Sequence, residues 1–147
     1  RRDPRTEEAG RPGGGGPRGG GACGAPGPPL PDRPPVVGIT LREYAIDPSG
    51  AIPRGRVVFE VRNAGQREHR LSLVNLAKDM PPIRQQFEGK ERRVVDELAA
   101  TPNRPPGSRD VFAVNLPPGR WAFICFLIDD DGLSHAKSGM ATEFRVA

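Results

Sequence analysis

The sequence has little cysteine, histidine or methionine: each contributes only two of its 147 residues. Cys23 lies in a glycine- and proline-rich stretch and Cys125 in an apolar one. We therefore expect no disulfide between them, and the cysteine count does not identify a redox compartment. No run of about eighteen apolar residues occurs, so the sequence predicts no membrane-spanning helix. Its length suits one ordinary domain.

An excess of charge of one sign is also missing. The net charge is +4 and is shared evenly between the first 35 residues and the rest. Such a weak, mixed charge is not typical of a nucleic-acid-binding surface. Arg18-Gly19-Gly20 is a single copy of the tripeptide that RNA-binding segments repeat, and it has no aromatic neighbour. We interpret it as linker, and we expect no nucleic-acid partner.

Residues 1–35 differ in composition from the rest of the chain. They hold ten of the nineteen glycines and nine of the eighteen prolines, and Leu30 is their only aliphatic residue larger than alanine. A stretch this poor in apolar surface predicts a disordered tail or linker. Within it, GGACG (20–24) faintly resembles the cleavage box of bacterial lipoproteins, although the apolar stretch that such a box requires is absent. A membrane tether through a lipid on Cys23 is therefore the alternative to a plain spacer.

Apolar and polar residues alternate with period two over much of residues 36–147, which predicts β-strands. In residues 36–46 the alternation changes parity near Arg42-Glu43, which predicts a bulge or bend. Residues 121–128 are apolar on both parities, as expected for a central strand. Other predicted strands are residues 56–63, 69–76, 109–116 and 142–147. Turn residues recur about every ten positions, so we predict an all-β sandwich.

The alternation is less clear in residues 81–100. Pro81-Pro82 is a suitable start for a short helix through Phe87. Val94, Val95 and Leu98 have the spacing of a second helix.

One concentration of chemically active residues stands out. The segment CFLIDDDGLSHAKSGM (125–140) contains Cys125, His135 and Met140, and His69 begins an earlier predicted strand on the same face as its core residues. A thiolate and two imidazoles with a weak axial thioether are the ligands of a mononuclear blue-copper site. Copper(I) prefers sulfur and copper(II) prefers nitrogen, so this mixed set suits both oxidation states. The thiol must lose its proton to bind.

These motifs give the chain a resemblance to the cupredoxins. It rests on NAGQREH before the first histidine, LPPGRWAFIC before the cysteine and HAKSGM, in which histidine and methionine are five residues apart. The resemblance implies a Greek-key β-sandwich over residues 36–147 that binds one type 1 copper ion and passes single electrons between redox partner proteins. It implies a monomer in the periplasm, outside the cell or at its surface. The implied ligands are His69, Cys125, His135 and axial Met140.

The sequence departs from the family pattern at two points. Nine residues separate Cys125 from His135, more than in familiar members, and Arg70 stands where many members have an asparagine that braces the cysteine loop. We expect Trp121 and Phe123 to pack beneath the cysteine and exclude water from the metal.

Alternatives to electron transfer are copper carriage or storage, and a metal-free binding module. Cys125 and a histidine could form a nucleophile and base, but no oxyanion-hole motif or orienting acid accompanies them. Two histidines are also too few for the second copper centre of a copper oxidase or nitrite reductase. We therefore predict that the chain is not an enzyme.

The acidic run Asp129–Asp131 has two further interpretations. It resembles a calcium loop only weakly, because the later ligands and the closing glutamate are missing. We interpret it as a solvated turn whose charge favours the oxidised ion and attracts a basic partner.

Overall fold

The computed structural model describes residues 33–89 and 96–147, which form two four-stranded sheets packed against each other. The elements are β1 (Val36–Arg42), β2 (Ala45–Pro48), β3 (Gly55–Asn63), β4 (Ser72–Leu76), α1 (Ile83–Glu88), β5 (Asp96–Ala100), β6 (Arg109–Leu116), β7 (Gly119–Ile124), α2 (His135–Ser138) and β8 (Ala141–Val146). The sheet orders are β2-β1-β3-β6 and β5-β4-β7-β8. The predicted all-β, Greek-key sandwich is confirmed.

The predicted disordered tail falls outside the described residues, apart from residues 33–35. Within the described part of the chain, no helix is long and apolar enough to cross a membrane.

The main core lies between the two sheets and is built from the strand faces that the alternation predicted. β3 shows the pattern clearly, because Val57, Phe59 and Val61 are buried while Glu60 and Arg62 are exposed. Each fully buried aliphatic or aromatic side chain contributes about 1.5–3 kcal/mol relative to exposure to water. Cys125, Met140, Trp121 and Phe123 belong to this same core. Two of the predicted ligands, Cys125 and Met140, are therefore part of the main core.

A second apolar cluster covers the other face of the β4–β7–β8 sheet. Ala122 and Ile124 of β7 pack there with Ile83 and Phe87 of α1. The central strand predicted at residues 121–128 is thus buried on both faces over β7, as its continuous apolar run indicated. The short helix predicted after Pro81-Pro82 is confirmed as α1.

Two local predictions are corrected by the structure. The parity change near Arg42-Glu43 is a chain reversal, because β2 pairs antiparallel with β1 and Arg42 faces Ala45. The helix predicted from Val94, Val95 and Leu98 is wrong at Leu98, which lies in β5, while residues 94–95 fall outside the described part. Pairing with β4 stabilises the extended backbone there and overrides the local apolar spacing.

Strand register explains how distant residues meet. In the β4–β7 pair Ser72 faces Ile124, and in the β7–β8 pair Ile124 faces Ala141. The residues just before β4, just after β7 and just before β8 therefore lie together at one end of the sandwich.

Candidate metal centre

Three of the four predicted ligands converge at this end of the sandwich. One side-chain atom from each of His69, Cys125 and His135 lies within 4.8 Å of the other two, and all three residues are buried. The Nδ1 atoms of the two imidazoles are 3.2 Å apart, and Cys125 Sγ is 3.6 Å from His135 Nδ1. The chain thus brings together donors that are separated by up to 66 positions in sequence.

His69 lies three residues before β4 and is fixed through its backbone. Its N–H donates to the carbonyl of Arg104 at 3.0 Å, and its own carbonyl accepts from the N–H of Arg104 at 2.8 Å. This isolated bridge holds the imidazole on the same inner side as Leu71 and Leu73, the face predicted from the alternation.

His135 is held by a closed loop. The loop reverses through backbone hydrogen bonds from Asp129 N–H to the Leu133 carbonyl (2.9 Å) and from Gly132 N–H to the Asp129 carbonyl (2.8 Å). The His135 N–H then donates to the Leu127 carbonyl at 3.0 Å. The long cysteine–histidine spacing therefore does not carry the imidazole away from the thiol.

Met140 and Arg70 flank the cysteine. The Cys125 N–H donates to the Met140 carbonyl at 3.0 Å, and the Met140 N–H donates to the His135 carbonyl at 3.0 Å. The Met140 side chain is fully buried in the core that contains Cys125. The backbone N–H of Arg70 donates to Cys125 Sγ at 3.5 Å, a contact that any residue except proline supplies at this position.

The outer nitrogen of His69 contacts a carboxylate. His69 Nε2 is 2.9 Å from Oε1 of Glu43, in the β1–β2 turn. The backbone N–H groups of Gln66 and Arg67 also donate to the Glu43 carboxylate, at 2.8–3.0 Å. Burial alone would raise the pKa of Glu43, but these backbone donors and His69 lower it to about 2. Glu43 is therefore ionised at neutral pH.

The outer nitrogen of His135 has an equivalent partner. His135 Nε2 is 2.7 Å from Asp129 Oδ1, and Asp129 Oδ2 accepts from Arg67 Nη1 at 2.7 Å. The hydrogen bond from His135 is the main cause that lowers the pKa of Asp129. Asp129 was predicted to belong to a solvated turn, and this is corrected: its side chain is only 19% exposed and contacts a predicted ligand.

These contacts select the tautomer of each neutral ring. A carboxylate only accepts hydrogen bonds, so in the neutral form of either ring Nε2 carries the proton and Nδ1 presents a lone pair. Burial lowers the pKa of His69, although the hydrogen bond to Glu43 acts against this, and the ring is neutral at pH 7. Burial also raises the pKa of the Cys125 thiol.

The donor set fits a copper ion. Two buried lone pairs 3.2 Å apart repel each other unless a cation lies between them. Two nitrogens bound to one ion at about 2.0–2.1 Å are separated by about 3.3–3.6 Å at tetrahedral or trigonal angles, close to the observed spacing. Two imidazoles with one thiolate are donors that copper accepts in both oxidation states.

Sequence reasoning missed Glu43 as a member of the site. It lies 26 residues before His69 in a turn between two predicted strand segments, and no local pattern distinguishes it from other acids. For Asp129 a signal existed, since the acidic run immediately follows the apolar segment 121–128 that contains Cys125.

Comparison with solved structures identifies the fold. A dithionite-reduced auracyanin from the photosynthetic bacterium Roseiflexus castenholzii aligns with a TM-score of 0.56 and 21% identity, covering 76% of this chain and 96% of that one. Auracyanin B aligns with a TM-score of 0.55 and 17% identity, covering 80% of this chain and 93% of that one. Auracyanin A, a "blue" copper protein from Chloroflexus aurantiacus, aligns with a TM-score of 0.53 and 14% identity, covering 78% of this chain and all of that one. No family model and no curated protein matches the sequence. The chain has the cupredoxin fold, as its motifs suggested.

Proposed function

We propose that this chain is a type 1 copper protein that carries single electrons and is not an enzyme. The observation that supports the proposal most directly is the buried convergence of the His69, Cys125 and His135 donor atoms. Auracyanin A, which has the same fold, is a "blue" copper protein. We assign His69, Cys125 and His135 as equatorial ligands and Met140 as the axial one. The Met140 carbonyl accepts a hydrogen bond from the Cys125 N–H, which supports this assignment.

The protein itself contributes a buried set of ligands whose backbones are held by hydrogen bonds. Bound copper would supply a one-electron couple, and the ligands should move little between its two oxidation states because each is fixed by backbone hydrogen bonds. Trp121 and Phe123 belong to the same core as Cys125 and exclude water from its inner side. A buried, preorganised site of this kind suits electron transfer better than carriage, which requires the ion to leave.

The absorption spectrum of the copper-loaded protein tests the assignment. We expect a strong thiolate-to-copper band that bleaches on reduction and is absent in Cys125→Ser. Uptake of copper without the band would favour carriage or storage, and no uptake would favour a metal-free binding module. A band that survives in Cys125→Ser would contradict the ligand assignment.

Partners and location follow from the proposed role. We infer a monomer that exchanges electrons with redox proteins in the periplasm or at the cell surface, tethered or spaced by its glycine- and proline-rich N-terminal residues. Fractionation of cells that express the natural gene, with mass analysis of Cys23 for a lipid, tests the location and the tether.

A further inference from the structure

The Nε2 atom of each proposed histidine ligand contacts a carboxylate. Glu43 reaches His69 from the β1–β2 turn, and Asp129 reaches His135 from the cysteine–histidine loop. The two carboxylates come from unrelated parts of the chain but make the same kind of contact. Neither imidazole is exposed to solvent.

We propose that Glu43 and Asp129 are positioning residues that hold the two imidazoles in the Nε2–H tautomer and lower the reduction potential of the bound copper. This rests on the proposed copper function. The carboxylates fix ring orientation and increase the basicity of Nδ1, as outer partners of metal-bound histidines do. Their negative charges favour copper(II) over copper(I), because the ion with the larger positive charge is attracted more strongly.

The Glu43 carboxylate is held in position by the backbone of the loop that precedes His69. The carboxylate accepts from two successive backbone N–H groups, those of Gln66 and Arg67. A Cβ atom at Gly65 would lie 2.6 Å from Glu43 Oε1, so a larger residue there would displace the carboxylate from this position. The loop that precedes His69 thus provides both the hydrogen-bond donors and the space for the Glu43 carboxylate.

The electrostatic environment of Asp129 differs from that of Glu43, because the positive charge of Arg67 compensates part of the negative charge of Asp129. Arg67 Nη1 donates to Asp129 Oδ2, while Asp129 Oδ1 faces His135. The guanidinium is half-exposed, so a substitution there should be tolerated. Removing Asp129 and removing Arg67 should therefore shift the copper potential in opposite directions, which a general loosening of the site would not produce.

The test measures the reduction potential of copper-loaded full-length variants by redox titration. Glu43→Gln and Asp129→Asn keep an acceptor oxygen but remove the charge, and we expect each to raise the potential, the double variant more. Arg67→Gln should lower it. Each tenfold change in the ratio of affinities for the two copper ions appears as about 59 mV. The matched controls are Glu68→Gln and Asp130→Asn. Each removes an exposed negative charge, Glu68 next to His69 and Asp130 next to Asp129.

A second measurement does not depend on copper. Imidazole ¹⁵N NMR of the metal-free protein at mildly alkaline pH should show both rings as Nε2–H tautomers, with this preference lost at one ring in Glu43→Ala and at the other in Asp129→Ala. Those alanine variants should also bind copper about 10–100-fold more weakly.

Nδ1–H rings in the wild type would overturn the positioning role. Copper potentials that shift no more than in the controls would overturn the electrostatic role, and failure of the wild type to bind copper would overturn the proposed function instead.

Discussion

Gly139 lies between the proposed ligands His135 and Met140, at the end of α2. It ends α2 with a φ of 133°, a conformation that side chains rarely adopt, and its N–H donates to the carbonyl of Ala136. It lies between His135 and Met140, so its backbone geometry determines how the chain passes from one to the other. A Cβ atom there would lie 2.5 Å from the Tyr44 carbonyl oxygen.

We predict that Gly139→Ala destabilises the metal-free domain by about 1–3 kcal/mol, the usual cost of a strained backbone position. The steric conflict with Tyr44 adds to this. Urea unfolding measures the change, and Gly50→Ala is the control because a Cβ atom there meets nothing within 4 Å. Equal stabilities of the two variants would contradict the prediction.

At the scale of elements, the site depends on how the end of β3 is joined to the loops around it. Asn63 is buried, and its Nδ2 donates to the carbonyls of Arg67 and Arg104, both at 2.9 Å. Its Oδ1 accepts from the Gly65 N–H at 3.0 Å. Arg104 in turn holds the backbone of His69. One amide therefore connects a core strand to both segments that position the first histidine.

Replacing Asn63 by alanine should cost about 2–4 kcal/mol of unfolding free energy, because buried backbone groups lose their partners. The loop that carries Glu43's backbone donors should also loosen, and copper affinity should fall. Chemical denaturation and copper competition measure the two effects. Asn115→Ala, on the exposed face of β6, should change stability by less than about 0.5 kcal/mol. A similarly small effect at Asn63 would show that the amide does not support the loop.

At the scale of the whole molecule, the metal-free domain should lose stability as the pH falls. The pKa of His69 is lowered from 6.5 by burial, so below that pH the unfolded chain takes up a proton that the folded chain resists. The pKa of Glu43 is about 2 in the folded state against an ordinary 4.5, so its stabilising contribution is present above pH 4.5 and is lost between 4.5 and 2. Both effects have the same sign.

Thermal unfolding as a function of pH tests this prediction. The melting temperature should fall below about pH 6.5 and fall further below 4.5, and Glu43→Gln should reduce the second loss. Glu68→Gln, an exposed acid beside His69, should follow the wild-type curve. A wild-type curve that is flat from neutral pH down to 3 would contradict the assigned shifts.

Copper should stabilise the folded domain through mass action, by about 2.7 kcal/mol at a free ion concentration one hundred times the dissociation constant. The pKa of the Cys125 thiol is raised, so binding displaces its proton, and apparent affinity should rise by up to about tenfold per pH unit. Calorimetry in buffers of different ionisation enthalpy counts the released protons. Cys125→Ser should remove both the stabilisation and the proton release.

Periodicity in the sequence was sufficient for most of the strands, because a strand buried on one face must alternate and a central strand must be apolar throughout. It failed for β5, whose residues are mostly exposed and show no alternation. The proposed ligands His69, Cys125, His135 and Met140 were equally visible, since few chemistries combine thiolate, imidazole and thioether. Tertiary structure decided the rest. Whether nine intervening residues bring His135 back to Cys125 depends on backbone hydrogen bonds in the loop, and the approach of Glu43 to His69 depends on the β1–β2 reversal. Such contacts between distant segments leave no local pattern, because they arise only when the two sheets pack together.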